Sequence, residues 1–237
     1  MHSKVIHKID FHQVWIIVPA YNEATVIQSV LIPLIGAGYS VVVVDDCSSD
    51  QTPMQVTNLT GVHLCRHPIN LGQGAALQTG IEYALSHGAK YLVTFDADGQ
   101  HDYTCIPDLI SPLITGDVDL CLGSRFCAGA SVTDMPKQRR ILLKLATFLT
   151  KITTGLAISD THNGFRAFTA SAAAQLKITQ NRMAHASQIL ARIKEKRLRY
   201  KEIPVRIIYT DYSLSKGQHA REAINIVWDS VTESLRK

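Results

Sequence analysis

Three short stretches of this chain are apolar almost without interruption: Val14–Val18 (VWIIV), Val41–Val44 (VVVV) and Tyr91–Phe95 (YLVTF). A strand with one face in water alternates apolar and polar positions, so an unbroken run predicts a strand buried on both faces. Val62–Cys65 and Asp119–Leu122 predict two weaker strands. Between them, Glu23–Ala37, Gln73–His87 and Cys105–Thr115 carry apolar residues at helical spacing. Strand and helix alternate, which predicts an α/β fold: a mostly parallel, Rossmann-like sheet covered by helices on both faces.

The second half reads differently. Lys137–Ser159 holds five basic residues and no acid. Ile141, Leu142, Leu145, Phe148, Leu149, Ile152 and Leu156 fall on one side of a helical wheel, and Arg140, Lys144, Thr147, Lys151 and Thr154 on the other. This predicts a basic amphipathic helix over Lys137–Leu156. A loop (Asp160–Gly164), a short strand (Phe165–Phe168) and two helical stretches follow, then an alternating strand (Tyr200–Tyr209) and a final helix (Glu222–Leu235). Arg182–Lys201 carries +6 and Lys137–Ser159 +5, so the rest of the chain, at a net +4 overall, is acidic by 7. Charged helix faces are commonly just solvated; the apolar stripe beside the first stretch points instead to an anionic surface.

Composition narrows the class. The 237 residues are 46% hydrophobic and 19% charged, as in a globular protein. No linker rich in Gly, Pro or Ser divides them, so residues 1–237 are expected to form one domain. No apolar run reaches the roughly 20 residues of a membrane span, and the first ten residues lack a signal-peptide core. The five cysteines make no CxxC or CxxH pair, which fits reduced thiols in the cytoplasm rather than disulfides or zinc. The modest net charge gives no ground for a nucleic-acid partner.

Open parallel sheets bind ligands beyond the carboxyl ends of their strands. The first strand is followed there by Pro19-Ala20-Tyr21-Asn22-Glu23, the second by Asp45-Asp46-Cys47-Ser48-Ser49-Asp50 and the fourth by Asp96-Ala97-Asp98-Gly99-Gln100-His101. Asp96 and Asp98 can converge on one hard divalent cation, Mg²⁺ or Mn²⁺, or can merely cap a turn. Ser48, Ser49 and Asp50 are better read as caps of a following helix. Asn70-Leu71-Gly72-Gln73-Gly74 leads into a helix, where glycines either let backbone N–H groups approach a ligand or make a tight turn.

In order, PAYNE, VVDDCSSD, NLGQG, FDADGQH, GSRF and NGFRAF make the chain similar to glycosyltransferase family 2 from about Val14 to Gly217. Within it the chain most resembles the branch of dolichyl-phosphate mannose synthase and bacterial polyprenyl-phosphate glycosyltransferases. The resemblance implies a GT-A fold, with residues 14–125 as the nucleotide-sugar half and 126–237 as the acceptor half. It implies that Pro19, Tyr21, Glu23 and Asp46 hold the nucleotide, and that Asp96, Asp98 and Gln100 hold the metal. Arg125, Arg139 and Arg140 would receive the acceptor phosphate, and Lys216 would face the donor phosphates, so that Asp98, Arg125 and Lys216 carry the chemistry. Gln73 stands where a Lys is common, Asp160-Thr161-His162-Asn163-Gly164-Phe165-Arg166 where the branch has Asp-Pro-x-Ser-Gly-Phe-Arg, and Tyr212 where an Arg is expected.

The expected reaction is inverting transfer from a nucleotide-sugar, with UDP favoured because an Asp suits the uracil N3–H, to a polyprenyl phosphate in bacterial surface-glycan biosynthesis. A hydroxyl acceptor would need a base, for which Asp160 is the candidate; a noncatalytic nucleotide-sugar-binding module is the third reading. Residence would be cytoplasmic, peripheral on the inner face of the membrane, with room for a small membrane-protein partner.

Overall fold

The computed structural model describes residues 10–182, 184–210 and 212–213. Among them the strands are β1 (Val14–Ala20), β2 (Ser40–Asp45), β3 (Val62–Arg66), β4 (Tyr91–Thr94), β5 (Leu120–Ser124), β6 (Ser131–Thr133), β7 (Arg166–Thr169), β8 (Tyr200–Pro204) and β9 (Arg206–Ile208). The helices are α1 (Ile27–Gly36), α2 (Thr52–Thr57), α3 (Gln73–Ser86), α4 (Ile106–Ile114), α5 (Lys137–Thr154), α6 (Ala170–Leu176) and α7 (His185–Glu195). Seven strands form one sheet in the order β3-β2-β1-β4-β7-β5-β8, and β6 pairs with β9 in a second. The predicted helix Glu222–Leu235 and Lys216 lie outside the described residues.

Residue alternation explains the unbroken apolar runs. Val14, Ile16, Val18, Val41 and Val43 face a core shared with α1 and α4. Trp15, Ile17, Val42 and Val44 face a second core, shared with α3, α6 and α7. The helix α3 lies so close to β1 that a Cβ on Gly80 would overlap Ile17 Cγ2. Gly80→Val is therefore expected to cost about 2 kcal/mol through overpacking and to lower Tm by about 5 °C. A thermal melt checks it, and an unchanged Tm contradicts this packing.

One strand sets the layout of the functional edge. All the pairings in the large sheet are parallel except those of β7, which runs antiparallel to both β4 and β5. The loop preceding β7, Asp160–Phe165, is thereby delivered to the same edge as the carboxyl ends of β1, β2, β4 and β5. Pro19 is tolerated inside β1 because β4 pairs only up to Ile17, so the missing N–H breaks no ladder there.

Two expectations change. The predicted helix Glu23–Ala37 begins only at Ile27, because Glu23 O closes a turn onto Val26 and Ile27 N–H. The predicted single strand Tyr200–Tyr209 is two: Pro204 ends β8, and β9 turns to pair with β6. On α5 the apolar stripe faces outward, as a helix that meets an anionic surface requires. Its stripe of Ile141, Leu145, Phe148 and Ile152 is 69%, 50%, 59% and 66% exposed. The side turned to the protein carries Ala146, Thr147 and Thr150 instead, with the threonine hydroxyls donating to Leu143 O and Ala146 O.

Candidate active site

The loops after β1 and β2 are stitched into one wall. Asn22, at φ 54°, donates its N–H to Ser48 Oγ and accepts from Ser49 N–H, both at 2.9 Å. Glu23 N–H donates to Thr52 Oγ1 at 2.7 Å, and Asp50 accepts from Thr52 N–H just ahead of α2 and from Ala24 N–H. Tyr21 is left 45% exposed at the edge. Glu23 is buried, and Tyr212 Oη donates to its Oε2 at 2.7 Å.

Asp46, which the resemblance implied for the nucleotide, is buried behind this wall. Its carboxylate accepts from Leu71 N–H at 2.9 Å and Gly72 N–H at 2.6 Å, and pairs with His67 Nδ1 at 2.7 Å. These bonds fix the 67–72 loop against the end of β2. The glycines that follow also serve the chain itself. Gly74 and Ala75 donate their N–H groups to Asn181 O, and a Cβ on Gly72 would sit 2.6 Å from that oxygen. These N–H groups are therefore not a phosphate cradle; the glycines allow the segment before α7 to cross the start of α3.

Asp96 and Asp98 come together at the end of β4. Gln73 Nε2 donates to Asp96 Oδ1 at 2.9 Å, and Asp98 Oδ1 accepts from Gln100 N–H at 3.0 Å. Gly164 backs the pair so closely that a Cβ there would lie 2.5 Å from Asp96 Oδ2. Burial raises both carboxyls to about 6, with the Asp96 charge adding to the rise of Asp98. Two buried, mutually repelling oxygen donors are what a hard divalent cation stabilises. Among the described residues no group of three or more His, Cys, Asp or Glu forms a metal site, so Gln100, water and substrate oxygens would complete the shell. His101 Nδ1 accepts from Asp96 N–H at 3.2 Å while its ring stacks on Phe165, and burial holds it down to about 4. It is a neutral support for the pair.

The second pole lies at the end of β5. Arg125, which the resemblance implied for the acceptor phosphate, is buried against Asp160. Its Nε donates to Asp160 Oδ2 at 2.6 Å, its Nη2 to Oδ1 at 2.7 Å and its Nη1 to Tyr209 Oη at 3.0 Å. The antiparallel course of β7 brings Asp160 to it, so the charge is balanced inside the protein. Arg139 rests over the Tyr209 ring at 5.0 Å, and Arg140 is exposed beside it. Burial raises the Asp160 carboxyl and the Arg125 guanidinium lowers it, leaving it below the usual range. Arg166 is structural: it donates to the carbonyls of Asn163 and Thr161.

Sequence reasoning missed Tyr209, His101 and the Tyr212–Glu23 contact. Tyr209 had only its alternation in Tyr200–Tyr209 to mark it, and His101 its place next to the DADGQ run.

A mostly parallel sheet whose carboxyl edge gathers Tyr21, paired carboxylates and, nearby, Arg139 and Arg140 fits a nucleotide-sugar-dependent transferase. The family model for glycosyl transferase family 2 matches residues 15–177. An uncharacterised protein of Methanocaldococcus jannaschii is 34% identical over 97% of this chain and 96% of its own length. The UDP-N-acetylglucosamine–dolichyl-phosphate N-acetylglucosaminyltransferase of Methanococcus voltae is 30% identical over 91% of this chain and 93% of its own. Glucosyl-3-phosphoglycerate synthase of Mycobacterium tuberculosis, solved with Mn²⁺, UDP and phosphoglyceric acid, matches with a TM-score of 0.67 at 18% identity, over 92% of this chain and 78% of that one. That likeness shows the fold, which is GT-A. The chain belongs to glycosyl transferase family 2 and is a glycosyltransferase of its dolichyl- and polyprenyl-phosphate branch.

Proposed function

We propose that this enzyme transfers a sugar, with inversion, from a UDP-sugar to the phosphate of a polyprenyl phosphate at a membrane surface, in surface-glycan biosynthesis. The observation that carries the reading is α5. Among the described residues no helix is long and apolar enough to cross a membrane, yet α5 turns Ile141, Leu145, Phe148 and Ile152 outward with Lys144 and Lys151 exposed beside them. A helix so built lies in a bilayer interface, apolar face down and cations at headgroup level. Its first turn holds Arg139 and Arg140, so a lipid phosphate reaches them with its chain still in the membrane. The soluble-glycan reading needs a base, and Asp160 has both oxygens committed to Arg125. A phosphate monoester, with a second pKa of about 6, needs none.

The donor would lie against Tyr21 and Glu23, and Asp96, Asp98 and Gln100 would hold Mg²⁺ or Mn²⁺ at its diphosphate. A cation held there would stabilise the charge growing on the leaving diphosphate. Asp96 and Asp98 must be ionised to bind it. The Tm gain from Mn²⁺ is therefore expected to be full at pH 7.5 and to vanish as pH falls below about 6. The sign follows from the raised carboxyls: the fold favours their protonated forms, so their ionisation costs stability above about 6 unless a cation offsets it. The metal-dependent difference is the right readout. Burial also holds His101, His162 and His185 at about 4, and these contribute stability that is lost as pH falls. A Tm gain equal at pH 5 and pH 7.5 contradicts the metal assignment.

Vesicle flotation tests the membrane reading. Each basic residue near an anionic surface contributes about 1 kcal/mol, so binding to anionic vesicles is expected at low salt and is lost in high salt. Equal recovery with neutral and anionic vesicles at low salt contradicts it. Calorimetry with UDP and GDP tests the donor: a preference for GDP overturns the UDP assignment. A small membrane-protein partner is compatible with the same apolar stripe.

A further inference from the structure

Buried polar side-chain atoms normally have hydrogen-bond partners, because desolvating one without replacement is costly. Among the described residues two lack a partner: Nε2 of His162 and Nδ2 of Asn163. They belong to consecutive residues, and both lie in the loop that β7 delivers to the active edge.

Their orientation is fixed. Asn163 is 5% exposed, and its Oδ1 accepts from Phe165 N–H at 3.0 Å. The amide cannot turn over without losing that bond, so Nδ2 is the atom left over. The Asn163 side chain lies against His101, whose Nδ1 accepts from Asp96 N–H; the other ring nitrogen is then a donor, which meets Asn163 Oδ1 and offers Nδ2 no acceptor. His162 Nδ1 is engaged with Thr161 Oγ1 at 2.6 Å, which leaves Nε2 as the uncommitted ring nitrogen. Arg166 anchors the backbone beneath both residues by donating to Asn163 O at 3.0 Å and Thr161 O at 3.2 Å.

Position gives these atoms a use. Gly164, the next residue, abuts the Asp96 carboxylate at the diphosphate end. Asp160, at the start of the loop, grips Arg125 beside Tyr209 and Arg139 at the acceptor end. His162 and Asn163 are the residues of the loop between these two anchor points. We infer that this pair binds the transferred sugar: Asn163 Nδ2 donates to a sugar oxygen, hydroxyl or acetamido carbonyl, and His162 Nε2 pairs with a neighbouring hydroxyl. The inference deepens the donor assignment above and rests on it. The two residues are specificity determinants and take no part in bond making.

Calorimetry separates the sugar from the nucleotide. UDP, UDP-glucose and UDP-N-acetylglucosamine are titrated, with Mn²⁺, into the wild type, Asn163→Ser and His162→Phe. Serine keeps an acceptor for Phe165 N–H, and phenylalanine keeps a planar ring. Each variant is expected to lose about tenfold in affinity for the preferred UDP-sugar and nothing for UDP, with a matching rise in KM for the donor. Unchanged UDP affinity also shows that the site is folded, and if one variant does not fold the other carries the comparison. An equal loss for UDP and UDP-sugar makes the loop a structural support, and no loss in either variant means that water satisfies the two atoms. Both results overturn the inference and leave the donor assignment standing. A wild type that binds no uridine nucleotide overturns the donor assignment, and the inference with it.

Discussion

Asp98→Ala is expected to reduce sugar transfer by about a hundredfold or more, the scale seen when one group that stabilises a developing negative charge is removed. The same change should leave the fold intact. Asp98 stands in a turn, and burial together with the neighbouring Asp96 charge raises its carboxyl to about 6, so its ionised form is disfavoured where it stands. Removing it relieves that repulsion. The Tm of metal-free Asp98→Ala should equal or exceed that of the metal-free wild type at pH 7.5, while the Tm gain from Mn²⁺ disappears. Activity and melting are read on one preparation. Undiminished turnover by Asp98→Ala in chelator-treated buffer would remove the paired carboxylates from the mechanism.

The second large effect is expected at the other pole. Arg139→Glu with Arg140→Glu should abolish transfer to a lipid phosphate, because a dianionic acceptor would meet two carboxylates in place of two cations. Arg139 lies half-buried over the Tyr209 ring and Arg140 is exposed, so neither holds the core together. Slow hydrolysis of the nucleotide-sugar, which depends on the Asp96 and Asp98 end, should persist. That split separates loss of the acceptor from collapse of the enzyme. If the double variant still glycosylates lipid phosphate at the wild-type rate, the acceptor does not bind at these arginines.

The sheet was legible because burial on both faces leaves a direct trace, the unbroken runs of β1 and β2. The carboxylates were legible because they follow strands at the edge where such sheets bind ligands. What pattern could not show was the partner of each charge. Arg125 and Asp160 are 35 positions apart and meet only because β7 runs against its neighbours. The reading of α5 found the stripe and its outward face, and missed what the other side of the helix does. Thr147 was counted as solvated, yet its hydroxyl bonds back to its own helix, and that satisfied group is buried while Phe148 is exposed. The glycines of Gly72-Gln73-Gly74 look alike from sequence whether a ligand or a loop of the same chain approaches, and here it is the chain. The break after Pro204 had a signal, the missing N–H of proline, which the alternation of Tyr200–Tyr209 masked.

The central claim is transfer of sugar to a lipid phosphate, and a radiolabelled transfer assay tests it most directly. Purified enzyme, Mn²⁺ and a panel of labelled UDP- and GDP-sugars are incubated with anionic vesicles containing undecaprenyl phosphate, and label is counted in the lipid phase. The account predicts a metal-dependent, acid-labile lipid product from a UDP-sugar, formed only when the vesicles carry the phosphate. Label that stays in the aqueous phase with every donor, while a soluble glycan hydroxyl accepts it readily, would contradict the account.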